Sequence, residues 1–296
     1  MFRLAHISDL HIGPMPSMRW HELLSKRITG YINWHRHRKA FHHVAVLETV
    51  MNELKGFEPD HLAITGDLVN IATQSEISRA RLWLENNCDK SHTSLVPGNH
   101  DAYVPGAFKS ATNSWRPWIS GNNARSNNQF PYIKIRGSIA IIGFSTSNAT
   151  LPFYATGNFP KMQAVLGRQL LNQAKADGLF RVILIHHPPY HNATHPMKRM
   201  IGINRFQEMI SETGVELILH GHTHLNTVHN IELPKGSACT VGISSASQAS
   251  GDKKPVAGFN LFDIEKQTNG WKCLHRRYAV ESTTNSANLI EKNQLF

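Results

Sequence analysis

Short apolar runs of strand length alternate with longer amphipathic segments along most of the chain. The runs are FRLAHIS near residue 2, HLAITG near 61, TSLVPG near 93, IAIIGFS near 139, RVILIHH near 181 and VELILHG near 215. Helical periodicity appears between several of them, in segments that begin at Ala40, Ser75 and Phe159. Strands that alternate with helices predict a layered α/β fold in which helices cover both faces of the sheet.

The chain beyond His224 has a different pattern. Four strand-like pieces, NTVHNIEL, ACTVGIS, GFNLFDIE and GWKCLHRRY, follow one another with turn residues between them. They predict an antiparallel closing layer. The polar stretch that starts at Glu281 is typical of a solvated end. We therefore predict one domain over residues 1–280 and a polar C-terminal tail over residues 281–296.

Five of the apolar runs end in side chains that can bind a metal or move a proton. They are Asp9 and His11 in SDLH, Asp67 in TGDLVN, Asn99 and His100 in PGNHD, His186 in ILIHHPPY, and His222 and His224 in LHGHTH. Ligands of open α/β sheets bind beyond the carboxyl ends of the strands, so we expect these distant residues to converge. Each alone has an ordinary explanation as a turn residue or a buried histidine, but the five together predict a site.

The residue types at these strand ends favour a particular kind of metal. Carboxylate and amide oxygens with imidazole nitrogens, and without thiolate, suit divalent first-row ions such as Mn²⁺, Fe or Zn²⁺ better than a structural zinc cage. Two ions about 3.5–4 Å apart can share one carboxylate and leave room for water and a phosphate oxygen. We therefore predict two divalent metal ions as cofactors.

The order D-x-H, GD, GNHD, H and GHTH resembles the calcineurin-like metallophosphoesterase superfamily. The motifs stand intact as Asp9-Leu10-His11, Gly66-Asp67, Gly98-Asn99-His100-Asp101, His186 and Gly221-His222-Thr223-His224. The resemblance covers roughly residues 3–275 and is specific for superfamily and metal site, but only weakly for substrate. It implies a four-layer αββα sandwich of two packed mixed β-sheets flanked by helices, with the metal site at the carboxyl ends of the strands.

The resemblance also implies a role for each motif residue. Asp9, His11 and His224 would hold one ion, Asn99, His186 and His222 would hold the other, and Asp67 would bridge them. His100 would not be a ligand but would lie over the phosphate, where it stabilises charge or protonates the departing oxygen, and Asp101 would tune it. His187 and His220 would either support the ligands or belong to the packing around them.

The implied activity is hydrolysis of a phosphate ester by a hydroxide that bridges the two ions. The expected bond is a phosphodiester, with phosphomonoesters and pyrophosphates as alternatives. A cyclic-nucleotide phosphodiesterase and a nuclease are further alternatives, although the sequence offers no second domain for duplex binding. A non-catalytic scaffold is the remaining class, and it is disfavoured because no ligand is lost.

The connection between the first two motifs is long, basic and aromatic. Within residues 17–43, six Lys and Arg residues stand against one acid, Glu22. The basic residues are Arg19, Lys26, Arg27, Arg36, Arg38 and Lys39, and the interleaved aromatic ones are Trp20, Tyr31, Trp34 and Phe41. One interpretation is a solvated helix whose aromatic side chains pack on the domain. The other is a cap that lies on an anionic membrane surface or receives a lipid-linked phosphate.

This insert is similar in character to the basic inserts of family members that cleave the pyrophosphate bond of UDP-2,3-diacylglucosamine in lipid A synthesis. A UDP-2,3-diacylglucosamine-type pyrophosphatase at the membrane surface is therefore a specific alternative.

Composition restricts the setting and the partners. The formal net charge is +10 and the sequence pI is about 9.6, which favours an anionic partner such as a phosphorylated substrate, an acidic lipid surface or nucleic acid. Three cysteines without a C-x-x-C pair indicate neither a disulfide framework nor a thiolate zinc site. The N-terminus lacks the apolar core of a secretory signal. We expect a cytoplasmic protein, with attachment at the inner membrane surface as the alternative.

Overall fold

The computed structural model describes residues 1–18, 20–121, 130–234, 236–281 and 286–296. The strands are β1 Phe2–Ile7, β2 His61–Ile64, β3 Thr93–Leu95, β4 Tyr132–Arg136, β5 Ile139–Gly143, β6 Gly157–Asn158, β7 Phe180–Leu184, β8 Met200–Ile201, β9 Leu217–His220, β10 Thr227–Leu233, β11 Gly236–Gly242, β12 Gly258–Gln267, β13 Gly270–Glu281 and β14 Ser286–Gln294. The α-helices are α1 Arg27–Arg36, α2 Val44–Gly56, α3 Gln74–Asn87, α4 Ala107–Ser114, α5 Arg116–Ile119, α6 Lys161–Ala176 and α7 Ile203–Thr213. Single 3₁₀ turns lie at Trp20–Leu23, Arg38–Ala40 and Pro196–Lys198.

Most strands belong to two six-stranded mixed sheets. The first has the order β14-β13-β12-β1-β2-β3 and the second the order β10-β11-β9-β7-β5-β4. β1, β2 and β3 run parallel to one another, as do β5, β7, β9 and β11. Strands β12, β13, β14, β10 and β4 each join their sheet through an antiparallel pairing. The parallel strands of each sheet therefore bring their carboxyl ends, and the loops that follow, to one edge.

Side chains of the second sheet alternate between two cores. Val182 and Leu184 of β7 belong to the core that also contains β1 and β2, whereas Ile183 faces a core built with α6 and α7. In β9, Leu217 belongs to the core that contains β1 and β2, and Ile218 belongs to the core built with α6 and α7. Because successive side chains of a strand point to opposite faces, the second sheet is covered by the first sheet on one side and by helices on the other. The predicted layered α/β fold, with two mixed sheets flanked by helices, is confirmed.

The loop after β2 is fixed by the start of α3. Thr73 and Glu76 form a capping box, in which the Thr73 hydroxyl accepts the N–H of Glu76 and the Glu76 carboxylate accepts the N–H of Thr73. The same carboxylate accepts the N–H of Asn70 at 3.0 Å. This buried acid therefore holds the chain shortly after Asp67 in one conformation.

The C-terminal part differs from the prediction in two ways. The antiparallel pieces after His224 do not form a single layer, because β10 and β11 join the second sheet while β12 and β13 join the first. The prediction of a polar tail is wrong for Ser286–Gln294, which form β14 against β13. β14 is the edge strand, and edge strands are commonly polar because one side of them faces water. The same composition is therefore compatible with a tail and with an edge strand.

The insert over residues 17–43 packs on the domain as a short helix. A Cβ added to Gly30 of α1 would lie 2.5 Å from Ile71, and Trp34 is buried. The packing predicted for the aromatic residues therefore holds for Trp34, whereas Trp20 is 75% exposed. Arg19 lies outside the described residues. Within the described residues no helix is long and apolar enough to cross a membrane.

Candidate metal centre

The predicted metal-binding side chains converge where the carboxyl ends of the two sheets meet. Asp9, His11, Asp67 and Asn99 follow β1, β2 and β3 of the first sheet, and His186, His222 and His224 follow β7 and β9 of the second. Main-chain contacts join the two edges, since the N–H of His222 donates to the Asp9 carboxylate at 3.0 Å. Residues that are up to 215 positions apart in sequence thus share one site.

The donor atoms form two adjacent clusters. In one, Asn99 Oδ1 lies 3.1 Å from His186 Nε2 and 2.8 Å from His222 Nδ1. In the other, His224 Nε2 lies 3.2 Å from Asp9 Oδ1 and 3.4 Å from His11 Nε2. These two clusters contain the same residues as the two predicted ligand sets, and metal binding by them stays a prediction.

Asp67 lies between the two clusters. Its Oδ2 is 3.3 Å from His186 Nε2. Donor atoms of Asp9, Asp67 and His186 lie within 4.8 Å of one another, and so do those of His11, Asp67 and His100. The Asp67 carboxylate is therefore near the donor atoms of both clusters.

The spacing and chemistry of the donors fit two first-row divalent ions. Two atoms that bind one ion at about 2.0–2.2 Å lie about 3 Å apart, as the donors do here. The set contains carboxylate, amide and imidazole groups and no thiolate, as expected for Mn, Fe or Zn.

The backbone is strained at these ligands. Asp9, His11, Asp67, His222 and His224 all have φ between 42° and 70°. Residues other than glycine seldom adopt this left-handed region, and each such residue costs on the order of 1 kcal/mol or more. Strain of this kind is maintained where the surrounding structure fixes a side chain for function.

Two motif glycines allow loops from different strands to approach closely. A Cβ on Gly98 would lie 2.1 Å from Asp67 Oδ1, and a Cβ on Gly221 would lie 2.5 Å from Asp9 Oδ2. Any larger residue at either position would displace a predicted ligand. The glycines of GNHD and GHTH are therefore explained by the geometry of the site.

Main-chain carbonyls orient three of the imidazoles. His186 Nδ1 donates to Thr65 O at 2.6 Å, His11 Nδ1 to Val69 O at 3.2 Å, and His222 Nε2 to Lys198 O at 2.8 Å. A histidine that donates through one ring nitrogen presents the lone pair of the other to a metal. In each case that other nitrogen is the one in the cluster.

Burial and charge set the protonation of the site. Burial lowers the pKa of His11 and of His222 well below the ordinary value, so both rings are neutral. Burial acts in the same direction on His186, but the Asp67 carboxylate outweighs it and raises the pKa of His186 to about 9. Since a metal binds only the neutral ring, an ion that binds His186 displaces its proton.

His100 faces the cavity beside the clusters. Its Nδ1 donates to Asn70 O and its N–H donates to Asp67 Oδ1 at 2.7 Å. The ring stacks on Tyr103 with centroids 5.4 Å apart. The ring position is thus fixed, and His100 lines the cavity. Its placement over a phosphate stays a prediction.

The Asp101 carboxylate contacts main-chain N–H groups of two loops. Its carboxylate accepts the backbone N–H groups of Asp67, Leu68, Val69 and Gly98 at 2.8–3.2 Å. Among the hydrogen bonds of the described residues, none joins Asp101 to the His100 ring. Asp101 therefore holds the GD and GNHD loops together, and its tuning of His100 stays a prediction.

His187 and His220 belong to the packing around the ligands. Both ring nitrogens of His187 have protein partners, Thr146 Oγ1 at 2.7 Å and Ala155 O at 3.2 Å. His220 Nδ1 lies 3.1 Å from Gly221 O. Of the two open interpretations of these residues, the structure favours packing.

A cavity of about 290 Å³ opens over the clusters. It is lined by Lys26, Thr29, Asn33 and Arg38 of the insert, by Asp67, Asn99, His100 and Tyr103, by Phe153, Tyr154 and Ala155, and by Lys198, His222 and His224. The insert is therefore one wall of the site.

The sequence did not indicate that Arg38 and His42 of the insert would lie at the site. Arg38 Nη1 lies 3.4 Å from His100 Nδ1, and the His42 ring lies 4.8 Å from that of His11 and 5.7 Å from that of His224. Burial lowers the pKa of His42 to about 2, so it adds a neutral imidazole beside the Asp9 cluster. The basic and histidine-rich composition of the insert was the available signal, but it did not show which residues turn inward.

The family follows from a comparison of the whole chain. The family model of the calcineurin-like phosphoesterases matches residues 2–226, a range that contains every predicted ligand. The chain belongs to the calcineurin-like phosphoesterase family. In this calcineurin-like phosphoesterase, the five strands β10 to β14 lie beyond the matched range.

Solved structures confirm the fold of this calcineurin-like phosphoesterase. A dimetal phosphatase from Danio rerio has a TM-score of 0.59 at 11% identity, over 99% of this chain and 98% of that one. A purple acid phosphatase from yellow lupin seeds has a TM-score of 0.57 at 13% identity, over 99% of this chain and 53% of that one.

The sulfate thiohydrolase SoxB of Thermus thermophilus has a TM-score of 0.51 at 14% identity, and the match covers 92% of this chain and 56% of the SoxB chain. At these identities the likeness concerns the fold alone, and a search of curated proteins gives no match.

Proposed function

We propose that this chain is a hydrolase of phosphate esters that works with two divalent metal ions. The observation that carries the proposal is the convergence of six oxygen and nitrogen donors in two clusters, with the Asp67 carboxylate between them. Asp9, His11 and His224 would hold one ion, and Asn99, His186 and His222 the other. When bound, such ions neutralise charge on the phosphate and lower the pKa of water.

His100 would act on the phosphate group itself. Its backbone N–H is tied to Asp67 and its Nδ1 to Asn70 O, so Nε2 is held toward the cavity. Because Nδ1 already donates, Nε2 carries a proton only when the ring is charged, and burial lowers the pKa of His100 to about 3. An anionic phosphate beside the ring would raise this pKa, and Nε2 could then stabilise charge on the transferred group or give a proton to the departing oxygen. Asp101 supports this role indirectly, because it holds the loop on which His100 lies.

The insert would supply positive charge to the substrate. Arg38 and Lys26 line the cavity, and Lys198 lies on its other side. Burial lowers the pKa of Arg38, which nevertheless remains charged because an arginine loses its proton only far above neutral pH. Burial lowers the pKa of Lys26 to about 8. Cations beyond the metal clusters favour a substrate with a charged group on each side of the scissile bond.

We propose a phosphodiester or pyrophosphate as the bond that is cleaved. A phosphomonoester presents its charge mainly to the metal ions, whereas a second phosphate or a diester substituent can also reach the insert. A cavity of about 290 Å³ with walls on both sides favours a compact phosphoester over a nucleic-acid duplex. A cytoplasmic location stays a prediction.

Turnover of bis(p-nitrophenyl) phosphate in the presence of Mn²⁺ tests the proposed activity. We expect hydrolysis by the wild-type protein and a kcat lower by about 100-fold in His100→Ala, because general acid or charge-stabilising groups contribute about 10²–10⁴-fold. His92→Ala, which removes a histidine whose side chain is 62% exposed, is the matched control and should retain full activity. Equal rates for the His100 variant and wild type would contradict the role, and no metal-dependent turnover by wild type would favour a scaffold.

Arg38→Gln tests the contribution of the insert. A charge-assisted hydrogen bond contributes about 1.5–3 kcal/mol, so we expect KM for the diester to rise by about 10–100-fold. Inorganic phosphate should also inhibit the variant less strongly than wild type. Arg36→Gln changes an exposed arginine at the end of α1, two residues before Arg38, and should alter neither quantity. An unchanged KM with a lower kcat would show instead that Arg38 acts only through His100.

A further inference from the structure

Helix α1 presents three distinct faces, which its rotation of about 100° per residue separates. Gly30 and Trp34 face the domain, because a Cβ at Gly30 would meet Ile71 and Tyr103 and because Trp34 is buried. Thr29 and Asn33 line the cavity. The third face is directed away from both.

The third face of α1 is apolar. Ile28 is 45% exposed and Ile32 is 44% exposed, and four residues separate them, so they form one ridge. The chain that leads into α1 continues this character, with Leu24 at 76% and Trp20 at 75% exposure. A shallow cavity of about 310 Å³ beside Ile32 is lined by Tyr31, His35 and Arg36.

A second exposed apolar segment lies across the mouth of the site. Leu151 is 75% exposed and Phe153 is 79% exposed, although Phe153 also lines the cavity and has a left-handed φ of 69°. Lys26 joins the two segments, because its Nζ donates to Thr150 Oγ1 at 2.6 Å and to Tyr154 O at 2.8 Å. We call Trp20, Leu24, Ile28, Ile32, Leu151 and Phe153 the apolar rim.

Positive charge surrounds the apolar rim. Arg36 and Lys39 of the insert are exposed, whereas Arg38 turns into the cavity. On the other side of the mouth, Lys198 lines the cavity and Lys254 Nζ donates to Thr223 O at 2.8 Å. Glu22 is the one acid of the sequence over residues 17–43. The surface around the site entrance is therefore apolar and cationic.

We propose that the apolar rim docks this protein on the surface of an anionic lipid bilayer. Exposed apolar side chains flanked by lysine and arginine bind at the boundary of headgroups and acyl chains, and the cations contact anionic headgroups. A nucleic acid would complement the charge but not the aliphatic side chains of the rim. Exposed apolar groups that lie together and are surrounded by polar residues are typical of protein or membrane interaction sites.

Docking of this kind defines a substrate class. The cavity lies between α1 and the Leu151–Phe153 segment, so its mouth would open toward the bilayer. The substrate would then be an amphiphile whose phosphoester headgroup enters the cavity while its acyl part stays in the membrane. This statement on the substrate rests on the proposed hydrolase function, whereas docking itself does not.

Co-sedimentation of the full chain with vesicles tests the docking. We expect wild type to pellet with vesicles of phosphatidylcholine and phosphatidylglycerol and to stay in solution with phosphatidylcholine alone. The triple variant Leu24→Gln, Ile28→Gln, Ile32→Gln should bind the mixed vesicles at least about tenfold more weakly, because three partly exposed aliphatic groups lose their burial. Leu289→Gln with Ile290→Gln is the matched control, since these residues of β14 are 50% and 51% exposed, and its binding should equal that of wild type.

A second pair of variants tests the charge. Arg36→Gln with Lys39→Gln should weaken binding by about tenfold or more and reduce its dependence on salt, because each surface cation contributes to attraction by anionic lipid. Lys161→Gln with Lys175→Gln removes two exposed lysines of α6 and should have no effect. None of the changed residues lines the site cavity, so hydrolysis of soluble diester should be unchanged in every variant.

The outcomes separate docking from the proposed function. Binding by wild type with loss in the rim variant supports docking, whether or not the protein hydrolyses a diester. Equal binding of wild type, rim variant and β14 control, or no binding to anionic vesicles, overturns docking and leaves the hydrolase proposal unaffected. Preferential binding of wild type to DNA, with no binding to vesicles, would assign the cationic surface to nucleic acid instead.

Discussion

Asp67→Asn should lower the kcat for diester hydrolysis by at least about 1000-fold. The Asp67 carboxylate lies 3.3 Å from His186 Nε2 and also accepts the N–H of His100. An amide of the same shape keeps one oxygen but loses the negative charge that two cations would share. Loss of one preorganised electrostatic group costs about 10²–10³-fold in other enzymes, and a shared ligand supports both ions.

Turnover and metal content are measured together in this experiment. Elemental analysis of the purified variant should show less than the two ions per chain that we propose for wild type. Asp177→Asn, at the exposed end of α6, is the control for the chemical change itself. Full activity of the Asp67 variant with normal metal content would refute a shared carboxylate.

Asp101→Ala should reduce the free energy of unfolding by about 4 kcal/mol. The substitution leaves four buried N–H groups, those of Asp67, Leu68, Val69 and Gly98, without their acceptor. Each buried donor that loses its partner costs about 1–3 kcal/mol, and water entering the space recovers part of the loss. Losses of this size are uncommon for single substitutions and point to a broken buried network.

Urea denaturation followed by circular dichroism measures the effect. The midpoint should fall clearly in Asp101→Ala and remain unchanged in Asp177→Ala, where an exposed aspartate is removed. If the Asp101 variant unfolds at the wild-type urea concentration, the carboxylate does not hold the GD and GNHD loops together.

The ligand set was accessible from sequence for a physical reason. Asp9, Asp67, Asn99, His186 and His222 each follow an apolar run that ends abruptly, and parallel strands bring their carboxyl ends to one edge. Local pattern and sheet geometry together were therefore sufficient to predict which side chains meet. The order of the motifs added the family, which the match over residues 2–226 confirmed.

The positions of the insert residues at the site could not be predicted from local sequence pattern and sheet geometry. The places of Arg38 and His42 depend on how α1 packs on Ile71 and Tyr103, which no local periodicity specifies. The role of Asp101 was also hidden, because its partners are backbone N–H groups and carry no side-chain signal in the sequence. β14 was missed because a polar edge strand and a polar tail have similar composition.

The division of the proposed ligands between two sheets links the geometry of the proposed metal centre to the packing inside the domain. Asp9, His11, Asp67 and Asn99 are carried by one sheet, and His186, His222 and His224 by the other. Sliding of one sheet over the other by a single ångström would pull the donor clusters out of register long before the chain unfolded. Packing residues between the sheets, such as Leu4 and Leu184, therefore set the alignment of the two donor clusters as well as the stability of the domain.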